Sequence, residues 1–274
     1  MKTINFSLLT DSARQLKTGK SRSIEGLKDY WVVSLELTPN ARTCPYAFAK
    51  GLECTNGGRG CLNTSGNGRF DTVQNARNRR TDLWFNDRDR FLILLKADLA
   101  IAQAVAVARG DRLAVRLDTF SSLHLWHDDR IYDEIVKPLQ DQGAIFYDYI
   151  KAPLARIKAG IAKGIDLTVS FTEQTTPKKL DEYMKIARVA VVFDGEVPDY
   201  WNGYRVINGD DHDLRFTEPL GVVIGLTSKV IAGGKKRAEN SNGFVQIGVT
   251  KAQRSKASDL FPAMAPSVSA MLYA

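Results

Sequence analysis

Short apolar runs rich in β-branched residues recur along this chain, separated by stretches with helical character, and that alternation limits the fold more than any other feature. Strands are expected at 31–37, 113–117, 144–149, 166–171, 189–193 and 222–226. Helices are expected between them at 129–142, 153–160 and 177–187. The last of these has Pro177 in its first turn and Thr176 before it, a capped start. A long helical pattern fills 75–109, with a break near Asn86-Asp87 and Gly110 as its stop. Its second half, from Phe91, is apolar on nearly all sides and is expected to be largely buried. Strands separated by helices imply βαβ units and a parallel sheet. Beyond Phe193 the pattern weakens: a short strand at 204–207, a Gly/Lys/Ser/Asn loop at 226–243 and a strand-like 244–249. With no sharp linker and no repeat, a single domain over 1–254 and a tail over 255–274 are expected.

The chain has three cysteines, Cys44, Cys54 and Cys61, all in a Gly-, Pro- and Asn-rich loop (38–68) directly after the first strand. Clustering of this kind points to a shared ligand or a shared bond. Nothing in the first residues has the apolar core and cleavage site of a signal peptide, and no uninterrupted apolar run reaches the roughly 18 residues of a membrane span. A cytoplasmic protein with reduced thiols is therefore expected, with no membrane partner. An odd cysteine count also argues against a disulfide framework. Metal binding is the better reading. The net charge of +7 permits anionic partners without requiring them.

Three thiolates admit two metal fillings. A structural zinc site wants four ligands, and His124 or His127, from the neighbouring strand end, could complete Cys3His. A [4Fe–4S] cluster on three cysteines keeps one iron open to a ligand. The spacing C-x9-C-x6-C is neither a zinc ribbon nor a ferredoxin motif, so cluster, zinc and no metal all stand open.

In parallel α/β folds, chemistry gathers beyond the carboxyl ends of the strands. Arg116, Asp118, Ser121, Ser122, His124 and His127 follow the second expected strand; Asp148, Tyr149 and Lys151 end the third; Ser170 and Glu173 end the fourth. Arg116 lies inside an apolar strand and needs a partner, with Asp118, Asp148 and Glu173 as candidates, or else it clamps an anion. Asp210-Asp211-His212-Asp213 is either a hard-cation loop or a solvated acidic turn. Gly57-Gly58-Arg59-Gly60 suits an anion or cluster sulfides, or is a turn that brings Cys54 and Cys61 together. Trp126, Tyr147, Tyr149 and Phe171 stack on a base or pack in the core.

A three-cysteine loop after the first strand of a six-strand β/α array resembles the radical S-adenosylmethionine superfamily, although the usual loop there is C-x3-C-x2-C. That resemblance implies a partial (β/α)6-like barrel with a metal-binding cysteine loop, a [4Fe–4S] cluster and S-adenosylmethionine on the fourth iron. Over most of its length the chain also resembles the phage "gene product 88" family. The matching residues include Thr38-Pro39, Cys44-Pro45, Cys54, Gly60-Cys61-Leu62, 115–119, 146–151, 167–170, Asp210, 213–216 and Gly225-Leu226. This resemblance implies phage origin and a host-cytoplasmic setting, and it assigns no reaction.

Together these readings lead to an expected iron–sulfur protein, an enzyme if the superfamily parallel holds, acting on a nucleotide or nucleic-acid-related substrate at the open barrel end. Cys44, Cys54 and Cys61 would hold the metal. Arg116, Asp118, Ser170 and Glu173 would line the ligand, and Asp148, Tyr149 and Lys151 would face the substrate. The alternative is a non-catalytic zinc or cluster protein that binds a host protein or nucleic acid, the latter through Arg77, Arg79, Arg80 and Lys235-Lys236-Arg237.

Overall fold

The computed structural model describes residues 7–11, 23–52, 54, 61, 68, 70–228 and 243–249. A mostly parallel sheet dominates, built from β1 (Leu9–Asp11), β2 (Tyr30–Leu35), β3 (Arg112–Arg116), β4 (Ile145–Ile150), β5 (Asp166–Ser170), β6 (Arg188–Phe193), β7 (Tyr200–Trp201), β8 (Tyr204–Asn208), β9 (Val223–Thr227) and β10 (Val245–Gln246). Strands β2 through β6 lie side by side in chain order, all parallel, as right-handed βαβ units require. The order then changes. β9 pairs with β6, β8 lies outside β9, and the β7–β8 hairpin forms the far edge.

Helices α1 (Pro45–Ala49), α2 (Asp71–Asn86) and α3 (Arg88–Arg109) fill the connection from β2 to β3. Asp87 divides the last two: its backbone N–H donates to Leu83, closing α2, and its side chain accepts from Arg90, capping α3. Gly110, at φ 73, ends α3 in the left-handed conformation that suits glycine. A short α4 (Asp129–Ile131), a π turn (Tyr132–Val136) and α5 (Lys137–Gln140) lead into β4. Helices α6 (Leu154–Ala162) and α7 (Pro177–Met184) precede β5 and β6, and Thr176 caps α7 through the Lys179 N–H.

Alternation sorts the two faces of the sheet. Trp31, Val33, Leu35, Leu113, Val115, Phe146, Leu167, Val169, Val189 and Val191 point to the helix side and join Phe91, Leu95 and Leu99 of α3 in the main core. The other face carries Val32, Ala114 and Tyr147, and no helix among the described residues joins them there. The segment after β8 does so instead, laying Leu214 and Phe216 on those residues.

The predicted strands and helices are present within a few residues, but the barrel is not. The sheet stays open. One edge is β1, antiparallel to β2, and the other is the antiparallel β7–β8 hairpin. The expected strand at 244–249 shrinks to two residues, pairing with β6 just beyond the point where β5 stops pairing with it. The first strand, β1, has no apolar pattern of its own. It is fixed by Asp98 of α3, whose buried carboxylate accepts the backbone N–H groups of Ser7, Leu8 and Leu9 at 3.1, 2.6 and 3.2 Å.

Helix α3 also departs from expectation. It is long and apolar enough to cross a bilayer by length and composition, with mean hydropathy 2.0. One face, including Phe91, Leu95, Leu99 and Ala102, is fully buried in the core, while Ile93, Ile101 and Val107 on the opposite face are exposed.

Candidate functional site

The cysteine segment begins in a tight turn written by its own sequence. The Asn40 side chain accepts from the Arg42 and Thr43 backbone N–H groups at 2.8 and 3.1 Å, and the Thr43 hydroxyl accepts from Asn40 and donates to the Thr38 carbonyl. Pro45, at the first position of α1, then starts a helix of little more than one turn. Cys44, Ala47 and Leu52 bury one another, and Cys54 packs against them. Cys61 lies near enough for its charge to act on Cys44.

Two loops anchor this segment by hydrogen bonds, and a third brings a charge to bear on it. After β3, the Ser122 N–H donates to Thr43 O at 2.9 Å. After β4, the Lys151 charge bears on Cys44. After β5, Gln174 Nε2 donates to Lys50 O at 2.8 Å. The Thr43–Lys50 segment that carries Cys44 is therefore held by the loops at the carboxyl ends of β3 and β5, where a singly wound parallel sheet presents its loops. Burial pushes the Cys44 thiol up to about 11, opposed by Lys151 and, more weakly, by hydrogen bonds from Thr43 and Ser122; the Cys61 charge adds to the rise.

Buried charge gathers at the ends of β3 and β4. Arg116, at the end of β3, donates from Nε to Asp148 (3.1 Å) and from Nη1 to Asp213 (2.7 Å), and its guanidinium stands 4.7 Å from the Tyr149 ring centre. Tyr149 donates its hydroxyl to the other Asp213 oxygen. Asp148 also accepts the backbone N–H groups of Asp118 and Tyr149. Burial raises Asp148 to about 7 despite the opposing Arg116 charge. Arg116 is held firmly protonated, because the attraction of Asp213 and Asp148 outweighs its own desolvation.

Asp118 is fully buried and spends its carboxylate on Ser121 Oγ and on the backbone N–H groups of Leu123 and Leu125. It ties down the loop after β3. Arg116, Asp118, Asp148 and Tyr149 are thus bound to one another and to the chain, a rigid support rather than an open mouth. Lys151, Ser170 and Glu173 stand half-buried where the strands end.

His124 is held by both ring nitrogens. Arg156 Nε donates to Nδ1 at 3.0 Å, so Nε2 carries the proton and donates to Ser122 Oγ at 2.9 Å. A histidine in that tautomer cannot act as the base for Ser122, although the pair looks like one. The ring stacks between Tyr46 of α1 and Trp126. His127 is exposed.

A second charged cluster was not legible in the sequence. Arg215 is 1% exposed and donates to both Glu218 oxygens at 2.9 and 3.1 Å and to the His212 carbonyl. Arg188 pairs with Asp166 at 2.9 and 3.0 Å and donates to the Glu218 carbonyl. Asp213, 97 residues from Arg116, belongs to the segment that crosses the open face. The only signal for any of this was a charge at the start of an apolar strand, Asp166 in β5 and Arg188 in β6. Asp210 accepts the Thr227 N–H and Asp213 is taken by Arg116 and Tyr149, so the acidic run serves the chain itself.

The expected basic patch is also dispersed. Arg77 is 2% exposed, paired with Glu36 at 2.9 Å and laid over Phe120 at 3.6 Å. Arg80 is half-buried and reaches toward Thr10, and Arg79 alone of the three is exposed. Gly57–Gly60 and Lys235–Arg237 lie outside the described residues.

The donor set bears differently on the two metals. A zinc site needs its ligands to converge on one point at about 2.0–2.3 Å. Among the described residues no three His, Cys, Asp or Glu side chains are so placed. A [4Fe–4S] cluster takes one thiolate per iron, so its cysteines need only surround a volume. Cys44 and Cys54 share one apolar cluster with Ala47 and Leu52, and Cys44 is buried there.

The pattern of the family described as Gene product 88 matches residues 7–247. The chain belongs to that family. It is a family of phage gene products, and the match spans every described strand and helix. No curated protein and no solved structure matches the chain.

Proposed function

We propose that this member of the phage gene product 88 family is an iron–sulfur protein of the host cytoplasm, with Cys44, Cys54 and Cys61 holding a [4Fe–4S] cluster. One observation carries the reading: Ser122 and Gln174, from the loops after β3 and β5, hydrogen-bond the backbone at the two ends of the Thr43–Lys50 segment that holds Cys44. Such a cluster supplies single electrons and one iron open to a ligand. An S-adenosylmethionine-like ligand, with its amino and carboxylate groups, is the class that fits an open iron in a radical enzyme, and a nucleotide-related substrate fits the basic chain.

Within that reading, the chain's own residues divide by task. Lys151 places a positive charge beside Cys44, which favours a thiolate and offsets the negative charge of a thiolate-bound centre. Ser170 and Glu173 at the end of β5 are the ligand contacts. Arg116, Asp118, Asp148 and Tyr149 hold the loops in register beneath. The Tyr46–His124–Trp126 stack keeps α1 at a fixed height, and Leu52 and Ala47 exclude water from Cys44.

The test is electron paramagnetic resonance of anaerobically purified, dithionite-reduced protein, before and after S-adenosylmethionine is added. A reduced-cluster signal that changes on addition supports both cluster and ligand. An unchanged cluster signal removes the ligand and leaves an electron-transfer or structural centre. A silent, colourless protein carrying zinc overturns the proposal.

A further inference from the structure

The segment that crosses the open face meets the sheet largely through polar groups, and two of these are buried without a partner. Leu167 and Val169 of β5 point to the helix side, so Thr168 between them points to the open face. It lies in register with Tyr149 of β4 on one side and Arg188 of β6 on the other. The short turn Arg215–Thr217 packs on β5, and the Arg215 charge reaches Tyr149. Thr168 is 0% exposed and Arg215 1%. Among the described residues, neither Thr168 Oγ1 nor Arg215 Nε has a hydrogen-bond partner.

A buried donor or acceptor left unpaired loses its hydration and gains nothing in return. Native interiors therefore pair nearly all such groups, with water where the chain itself does not reach. The two orphans are complementary in chemistry: an arginine N–H only donates, whereas a threonine hydroxyl donates or accepts. One belongs to the sheet and the other to the segment lying on it. They do not bond each other directly, so whatever joins them must accept from the first and meet the second.

We infer that an internal water molecule bridges Arg215 Nε and Thr168 Oγ1, and that the crossing segment is held to β5 through it. The water accepts the Nε–H and donates to Oγ1, within the roughly two to four bonds that buried waters make. With it, each N–H edge of Arg215 has an acceptor, since Nη1 donates to Glu218 and Nη2 to the His212 carbonyl. Charge balance points to a neutral ligand. Arg215 is taken by Glu218, Arg188 by Asp166, and Arg116 by Asp148 and Asp213.

Thr168→Val tests this by the sign of its effect. Valine keeps the branched shape and removes the hydroxyl. A hydroxyl that is merely unpaired would be better absent, so the melting temperature of the full chain would hold or rise. With the bridge in place, valine strands the water and Arg215 Nε, and the melting temperature should fall by about 2–4 °C. A crystal structure of the wild type should show a water within hydrogen-bond distance of both atoms. A held or raised melting temperature overturns the inference, as does a wild-type crystal structure with the two side chains in direct contact or with a halide ion between them. Should Thr168→Val fail to fold, the wild-type crystal structure decides alone.

Discussion

His124 shows how much a single residue's surroundings decide. The ring is 2% exposed, and burial, followed by the Arg156 and His127 charges, pushes it down to about 3 from an ordinary 6.5. A depressed histidine contributes stability that is present above the unfolded value and lost as pH falls, because the unfolded chain takes up a proton that the native ring refuses. Between pH 6.5 and 5 that loss is about 2 kcal/mol. The residue sits at φ 60, which asparagine tolerates, so His124→Asn is the appropriate comparison. Urea unfolding from pH 7 to 5 should show wild-type stability falling toward that of the variant; curves that stay parallel would contradict the neutral, buried ring. The sequence offered His124 as a zinc ligand. What it could not show was Arg156, 32 residues away, taking the nitrogen a metal would need. Arg116 was more legible: a charge inside an apolar strand must find a partner, and Asp148 on the adjacent strand was among those expected. Asp213 was not, because its approach depends on a segment crossing the sheet.

Among the elements, α6 packs closely on β5 and on Trp126 at Gly160. A Cβ at Gly160 would lie 2.6 Å from Trp126 Cη2 and 2.7 Å from Leu167 Cδ1. In an open helix Gly→Ala gains roughly 1 kcal/mol. Here the indole is 1% exposed and walled in, so overpacking of roughly 1–3 kcal/mol outweighs that gain. Gly160→Ala should lower the melting temperature in differential scanning calorimetry; an unchanged or raised value would mean the α6–β5 contact is looser than described. Strand and helix positions could be read from the sequence because burial imposes its period on each of them. The division at Asp87 was readable for the same reason, a polar cap between two apolar patterns. Helix α3 misled through its composition. An all-round apolar helix suggested burial on every side, whereas Asp98 and Gln103 turn inward and Ile93, Ile101 and Val107 turn out.

For the whole molecule, the parallel array β2 to β6 was legible in the repeated strand–helix spacing, but its closure was not. A barrel needs the last strand to return to the first, and nothing in the pattern after Phe193 encodes that return. Instead β9 enters between β6 and β8, and residues 209–218 lie on the face a barrel would have enclosed, with Leu214 buried there, Phe216 packed against it and Arg116 tied to Asp213. The open sheet still presents its strand ends to one side, and there the loops after β3 and β5 hold the segment that carries Cys44. The measurement that bears most directly on this account is the iron and acid-labile sulfide content of the anaerobically purified full chain, beside Cys54→Ala. The account predicts about four irons and four sulfides per chain, with broad absorbance near about 400 nm, and loss of most of both in the variant. Wild-type protein with no iron and no sulfide, or with iron that Cys54→Ala leaves in place, would contradict it.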